Sequence, residues 1–84
     1  RVARMLAELA QSFGRPDGDR VVIDIPITQA ELATLVGATR QTVNQALGEL
    51  GKEGLVARRR QRIVVLQPGA LARLVSTAAE GEAR

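Results

Sequence analysis

The sequence predicts a small α+β domain, and three observations support that fold class. Apolar residues recur at helical spacing in four separate stretches. Short β-branched runs lie between those stretches, and two of them flank an arginine-rich segment. The length of 84 residues suits a single small domain. Together these features predict a winged helix-turn-helix domain over residues 1–79, with three main helices, a small antiparallel sheet and an extra C-terminal helix.

The first helix is predicted over Val2–Phe13 because apolar side chains recur along one face of it. Those side chains are Val2, Met5, Leu6, Leu9 and Phe13. Gly14 is expected to end the helix, and Gly14–Asp19 is predicted to be a loop because it contains a Pro-Asp-Gly sequence. The β-branched run Val21–Ile25 then predicts a short strand.

The second helix is predicted to begin at Thr28, because Thr28 and Glu31 have the spacing of a capping box. The Thr28 hydroxyl can accept from the third helical N–H, while the Glu31 carboxylate can accept from the N–H of Thr28. The predicted apolar face consists of Leu32, Leu35 and Val36. Gly37 is expected to break the helix, since glycine readily adopts a positive φ in a tight turn.

The third helix is predicted to run from a cap at Thr39 to about Glu53, with Gly54 as its C-terminal cap. Its buried stripe is predicted to consist of Val43, Ala46, Leu47 and Leu50. Ala33 of the second helix supplies a small residue at which the two short helices can cross. Two short helices joined by a tight turn have the spacing of a helix-turn-helix motif.

A β-hairpin is predicted from two short strands, Leu55–Ala57 and Ile63–Leu66, around the segment Arg58–Arg62. Its turn lacks the glycine or asparagine that such turns favour. Pro68 and the apolar residues after it predict a short last helix. Those apolar residues are Leu71, Leu74, Val75 and Ala78. Residues 80–84 are expected to form a frayed tail.

The composition excludes several classes of function. The chain contains no cysteine and no histidine, which argues against disulfides, zinc sites and histidine-based acid–base catalysis. Its acidic residues are scattered, and no nucleophile–base pair stands out. We therefore predict no catalytic site, no metal site and no enzyme activity. The apolar runs are too short to span a membrane and no signal peptide is visible, so we expect a cytoplasmic protein without membrane contact.

The net charge of +3 is concentrated in one part of the chain. Residues 40–62 hold six basic and two acidic groups, whereas the charges balance in residues 1–27 and again in residues 63–84. A local excess of positive charge is typical of a protein that binds a polyanion. A solvated charged surface is the alternative explanation.

The third helix is predicted to read base edges in double-stranded DNA. Four polar residues recur at a spacing that places them together, on the face opposite the buried stripe. They are Arg40, Gln41, Asn44 and Gln45. Arginine can pair with guanine O6 and N7, and glutamine or asparagine can pair with adenine N6 and N7. The alternative for each residue is an ordinary solvent-exposed side chain, but the arrangement as a whole favours sequence-specific binding in the major groove.

Two further groups are predicted to contact DNA phosphates. The first lies in the opening turns of the second and third helices, where backbone N–H groups favour anions, and consists of Thr28, Gln29, Thr39 and Thr42. Helix capping alone is the alternative role for Thr28 and Thr39. The second group lies at the hairpin tip and consists of Arg58, Arg59, Arg60, Gln61 and Arg62. These like charges cannot be buried together, so phosphate contact is their expected use, with a solvated tip as the alternative.

The stretch from Thr28 to Val65 resembles the C-terminal domain of the Crp-Fnr family, bacterial transcription regulators related to the cyclic-AMP receptor protein. The pattern that carries the resemblance is I-T-Q-x-E-L-A-x-L-V-G-A-T-R-Q-T-V-N-x-A-L-x-x-L-x-x-x-G-L-V, followed by I-V-V. The family usually has Ser/Thr-Arg-Glu-Thr-Val-x-Arg, which implies a base-reading role for Arg40. Gln41 and Gln45 replace the Glu and the second Arg, so we expect a different target sequence.

The resemblance also implies that Thr28, Thr39 and Thr42 contact phosphates and that Arg59 and Gln61 lie in the wing. In the family, a separate N-terminal domain senses a cyclic nucleotide (cAMP) and a long helix forms the dimer. The chain begins with Arg inside a predicted helix, so we expect a fragment that is itself monomeric and without cofactor, from a homodimeric parent. The loop Gly14–Asp19 is expected to lie near a surface that contacts RNA polymerase.

Two alternatives stay open on the sequence alone. A winged helix used for protein–protein contact would present an apolar patch where this sequence has Arg40, Gln41 and Gln45. A winged-helix regulator of another family, such as a GntR-type or MarR-type protein, would carry different flanking domains.

Overall fold

The computed structural model describes residues 2–82, and the side chains of residues 2–76. The helices in this part are α1 (Val2–Phe13), α2 (Gln29–Val36), α3 (Arg40–Lys52) and α4 (Pro68–Glu82). The strands are β1 (Gly14–Asp17), β2 (Arg20–Ile23), β3 (Val56–Arg59) and β4 (Arg62–Val65). This order confirms the predicted α+β winged helix-turn-helix architecture, including the antiparallel sheet and the extra C-terminal helix.

The strands form one antiparallel sheet in the order β1-β2-β4-β3. The loop predicted at Gly14–Asp19 is wrong for its first four residues, which form β1 and pair with β2 through a turn at residues 18 and 19. Pro16 is tolerated there because β1 is an edge strand, where a residue without an N–H donor costs no ladder hydrogen bond. The strand predicted at Val21–Ile25 begins one residue earlier and ends at Ile23.

Strands β3 and β4 form the wing, which we define as the hairpin Val56–Val65. Its strands reach closer to the tip than predicted, so that only Arg60 and Gln61 form the turn. Arg60 has a φ of 60°, in the left-handed region that glycine or asparagine usually occupies in such turns. The hairpin therefore forms without the usual turn residue, and an arginine takes the strained position.

Both helices of the helix-turn-helix end at a glycine, as predicted. Gly37 has a φ of 78°, and the N–H of Ala38 donates to the carbonyl of Ala33 over 3.0 Å. At the end of α3, Gly54 has a φ of 73°, and the N–H of Leu55 donates to the carbonyl of Leu50 over 3.0 Å. These bonds have the Schellman pattern, which satisfies helix carbonyls where glycine can adopt a positive φ.

The core is aliphatic and lies between the helices and one face of the sheet. Its least exposed side chains are Leu6, Ile23, Leu32, Val43, Ile63, Val65 and Leu71. Three predicted core residues are exposed instead: Leu35 (53%), Phe13 (47%) and Leu74 (40%). The buried face of α2 is centred between Leu32 and Ala33, which leaves Leu35 at its edge, and Phe13 lies in the last turn of α1.

The C-terminal helix is longer than the short helix that the sequence predicted. It spans 15 residues and continues through Glu82, into the segment 80–84 that we expected to fray. The side chains of residues 77–84, including Ala78, and the structure of residues 83 and 84 lie outside the described part. The frayed tail therefore stays a prediction.

Candidate nucleic-acid interface

Helix α3 presents two chemically different faces. Its core face buries Val43, Leu47 and Leu50. The four side chains predicted to read bases are all exposed on the other side of the helix, and they are Arg40, Gln41, Asn44 and Gln45. On this helix, which the structure describes in full, no apolar patch replaces them, as a protein-docking winged helix would require. The surface therefore suits a polar partner such as DNA.

The N-terminus of α3 carries a pair of linked hydroxyl groups. Thr39 caps the helix, since its Oγ1 accepts a hydrogen bond from the backbone N–H of Thr42 over 3.1 Å. The Thr39 hydroxyl also donates to Oγ1 of Thr42 over 2.9 Å. The proton of the Thr42 hydroxyl is then free to donate outward, beside the unpaired N–H groups of the first turn. This arrangement fits the predicted phosphate contact at Thr42, with Thr39 holding it.

The N-terminus of α2 carries the complete capping box that the sequence predicted. Thr28 Oγ1 accepts from the N–H of Glu31 over 3.0 Å, and the N–H of Thr28 donates to Glu31 Oε1 over 2.9 Å. The hydrogen bond from the Thr28 backbone, supported by that from its hydroxyl, lowers the pKa of Glu31. Because the Thr28 hydroxyl has a single proton, a phosphate that accepts from it would compete with the Glu31 carboxylate while Thr28 continues to cap α2.

A side-chain hydrogen bond joins the two helices of the motif. Gln29 Nε2 donates to Asn44 Oδ1 over 2.9 Å. Gln29 is the first residue of α2, and Asn44 lies on the exposed face of α3. The structure thus brings a predicted phosphate-contacting residue together with a predicted base-reading residue.

The strand register of the wing places its arginines on different surfaces. Arg58 pairs with Ile63 and shares the face of the sheet that packs on the helices, whereas Arg59 pairs with Arg62 on the opposite face. Arg60 occupies the turn between the strands. The segment that forms one cluster in the sequence is therefore divided between two faces and a tip.

Arg62 is held by an acidic residue that the sequence analysis did not single out. Its Nε donates to Asp24 Oδ1 over 3.1 Å, and Nε of Arg15 lies 3.4 Å from Asp24 Oδ2. All three side chains are substantially exposed, so the carboxylate offsets positive charge at the surface. A phosphate would have to compete with Asp24 for Arg62. No local sequence signal identifies this partner, because Asp24 meets Arg62 only through the pairing of β2 with β4.

The wing turn is fixed beside the start of α2. The backbone N–H of Ile27 donates to the carbonyl of Gln61 over 2.9 Å, and Thr28 is the next residue. This bond places the wing turn, with Arg60 and Gln61, beside Thr28 at the start of α2.

A cleft of about 240 Å³ lies between α3 and β3. The side chains at its rim include Gln29, Asn44 and Arg58, and its floor includes the buried Leu47 and Val56. The cleft thus places an arginine of the wing across from the exposed face of α3.

Within the described part of the chain, no three side chains of the metal-binding types His, Cys, Asp and Glu come together in one group. None of the helices described here has the length and apolar character needed to cross a membrane.

Comparison with known proteins finds bacterial transcription regulators. The chain is 38% identical over 73 residues to the CRP-like cAMP-activated global transcriptional regulator of Mycobacterium tuberculosis, a match that covers 87% of this chain and 33% of that protein. It is 36% identical over 76 residues to the global nitrogen regulator of Synechococcus elongatus, covering 90% of this chain and 34% of that protein. The chain therefore spans about a third of the length of these relatives.

The fold of this chain is also similar to that of solved structures. Oxidised CprK in complex with o-chlorophenolacetic acid superposes with a TM-score of 0.80 at 29% identity, over 87% of this chain and 31% of that one. A transcriptional regulator of the CRP/FNR family from Thermus thermophilus superposes with a TM-score of 0.77 at 32% identity, over 90% of this chain and 39% of that one.

The family comparison decides to which family of winged-helix proteins the chain belongs. The sequence profile of the Crp-like helix-turn-helix domain matches residues 1–74, which include α1, the whole helix-turn-helix and the wing. This match assigns the chain to the Crp-like family and thus argues against a GntR-type or MarR-type regulator. The chain belongs to the family of Crp-like helix-turn-helix domains.

Proposed function

We propose that this chain is the DNA-binding output domain of a Crp-Fnr-type bacterial transcription regulator and that α3 enters the major groove. The observation that carries this proposal is the division of α3 into a buried apolar face and an exposed polar face. Arg40, Gln41 and Gln45 stand on the exposed face, in the first turns of the helix, where recognition helices contact base edges. Their donors and acceptors match groups that distinguish the four base pairs in the major groove.

The phosphate backbone would be held by the N-termini of α2 and α3 and by the wing. The N-terminus of α2 offers Thr28, and the N-terminus of α3 offers the outward hydroxyl of Thr42. On the wing, Arg58 and Arg60 are the strongest candidates, because Arg62 is held by Asp24 and Arg59 lies on the face of the sheet opposite the helices. Phosphate contacts of this kind set the register of the protein on the duplex and supply most of the salt-dependent affinity.

A selection from randomised DNA duplexes tests this function. The 84-residue chain, immobilised at low salt, should enrich a short sequence motif over successive rounds. A variant with Arg73→Ala on α4, which removes one positive charge outside the proposed interface, should enrich the same motif. Recovery of unbiased sequences by the unaltered chain would contradict a base-reading role for α3.

For the regulator as a whole, we propose a homodimer in the cytoplasm that responds to a cyclic nucleotide and contacts RNA polymerase. The name of the M. tuberculosis relative, which describes it as cAMP-activated, supports the nucleotide, and the family resemblance supports the rest. We assign none of the described residues to the nucleotide. The relatives are transcription regulators, which supports a function in binding and not in catalysis.

A further inference from the structure

The hydrogen bond between Gln29 and Asn44 has a direction that bears on base recognition. Gln29 Nε2 is the donor and Asn44 Oδ1 is the acceptor, at 2.9 Å. The two residues are 15 positions apart and belong to different helices, so the bond depends on how α2 crosses α3. In this structure the oxygen end of the Asn44 carboxamide faces Gln29.

We propose that Gln29 is a positioning residue, which sets the base preference at the position that Asn44 faces without reading a base itself. The inference rests on the proposed DNA-binding function and names a determinant of its specificity. It also gives Gln29 a role beyond the phosphate contact predicted from its place at the helix N-terminus.

The chemistry follows from the two ends of a carboxamide. One end is an oxygen that only accepts hydrogen bonds, and the other is an NH₂ group that only donates them. Since Gln29 holds the oxygen of Asn44, the Nδ2 group is left for the DNA. In the major groove, guanine offers the acceptors N7 and O6, whereas cytosine offers the N4 donor. A donor held in this orientation favours guanine over cytosine at the contacted position.

The surroundings reinforce this orientation. Arg58 lines the same cleft as Gln29 and Asn44, and an arginine can only donate hydrogen bonds. The buried Leu47 beneath them offers no polar side-chain group. The protein side of Asn44 therefore presents donors, which suit its oxygen and oppose its NH₂ group.

Gln29→Glu provides a direct test, because it replaces the donor with a group that only accepts at neutral pH. The Asn44 amide should then turn, with Nδ2 toward the introduced carboxylate and Oδ1 toward the DNA. Asn44→Ala first identifies the base pair that Asn44 contacts, because the base preference at that position is lost in this variant. Binding of the 84-residue chain is then measured against four duplexes that differ only at that base pair. The unaltered chain should prefer guanine over cytosine by about fivefold or more, and the variant should reverse that order.

Two further variants separate positioning from other effects. Ala30→Glu adds the same negative charge at the neighbouring position of α2, so it should weaken binding to all four duplexes equally. Gln29→Ala removes the hydrogen bond and leaves only Arg58 to favour the original orientation of the amide, so the guanine preference should shrink without reversing. Circular dichroism of each variant should match that of the unaltered chain, since glutamate is favourable at a helix N-terminus.

The outcomes separate this inference from the proposed function. A reversed base preference in Gln29→Glu, but not in Ala30→Glu or Gln29→Ala, supports positioning by Gln29. Binding whose base preference is the same in Gln29→Glu as in the unaltered chain overturns the inference and leaves the proposed function standing. Failure of the unaltered chain to bind any of the duplexes overturns both.

Discussion

At the scale of single residues, Arg40 carries the clearest expectation for base recognition. It is the first residue of α3, it is exposed, and its guanidinium can donate two parallel hydrogen bonds to guanine. Arg40→Ala should therefore cost about 1–3 kcal/mol of binding free energy on the preferred duplex and relax the preference at one base pair. Fluorescence anisotropy with duplexes altered at each position measures both effects. An equal loss on every duplex would identify Arg40 as a phosphate contact.

Asp24 limits the positive charge that the sheet can offer to DNA. Its carboxylate lies beside both Arg62 and Arg15, so Asp24→Asn should leave these two arginines free to contact phosphates. We expect tighter binding to all duplexes and a dependence on salt that is steeper by up to about two ions, one for each arginine that reaches a phosphate. Asp19→Asn in the β1–β2 turn removes the same charge without touching the ion pair. If the two variants gave the same affinity and salt slope, Asp24 would act only through its contribution to net charge.

The exposed polar face of α3 could be predicted from the sequence, but the hydrogen bonds that connect its residues to the rest of the domain could not. Polar residues spaced along a helix predict a shared face because helical geometry is local. The bond from Gln29 to Asn44 and the pairing of Asp24 with Arg62 join residues that are 15 and 38 positions apart. Such contacts depend on helix crossing and strand register, which no local pattern contains.

At the scale of secondary-structure elements, the wing turn places a proposed phosphate contact at a position of backbone strain. Arg60 adopts a φ of 60°, which an L-residue with a side chain occupies at a cost of about 1 kcal/mol. Glycine relieves this strain but also makes the unfolded chain more flexible, so Arg60→Gly should stabilise the domain by less than about 1 kcal/mol and raise the melting temperature by at most about 4–8 °C, while it weakens DNA binding. Arg60→Ala, which removes the charge and keeps the strain, should weaken binding without this stabilisation. Equal melting temperatures for the two variants would contradict the strain argument.

The capping box of α2 should make stability depend on pH. Because hydrogen bonds from Thr28 lower the folded-state pKa of Glu31, its contribution is complete above the unfolded-state pKa. The contribution is lost as the pH falls through the lowered pKa of the folded state. Thermal melting of the unaltered chain and of Glu31→Gln, from about pH 7 to about pH 3, should show a difference that shrinks with falling pH. A difference that stays constant over this range would contradict a role for the ionised carboxylate.

The caps could be predicted from the sequence and the first hairpin could not. Thr28, Thr39 and Gly37 act through hydrogen bonds and φ angles within a few residues, so their local sequence is sufficient. The segment Gly14–Asp17 contains glycine and proline, which favour turns, and it becomes a strand only because β2 lies beside it. Leu35 has the spacing of a core residue, but the crossing of α2 over the core leaves it exposed.

At the scale of the whole molecule, the fold brings three separate segments onto one surface, namely the start of α2, the exposed face of α3 and the wing turn. The bond between Ile27 and Gln61 fixes the wing turn beside α2, and the bond between Gln29 and Asn44 fixes α2 against the exposed face of α3. The start of α2 is therefore joined by hydrogen bonds both to the wing turn and to the exposed face of α3. A duplex that meets α3 in its major groove would find phosphate contacts already positioned on the wing side of that helix.

Titration of the ¹⁵N-labelled chain with its selected duplex, followed by NMR, tests this surface most directly. We expect the largest changes in amide chemical shift over residues 39–45, with further changes at residues 28 and 29 and in the wing turn. Changes confined to α1 and α4, with α3 unaffected at saturating duplex, would contradict the claim that the exposed face of α3 is the part of this domain that reads DNA.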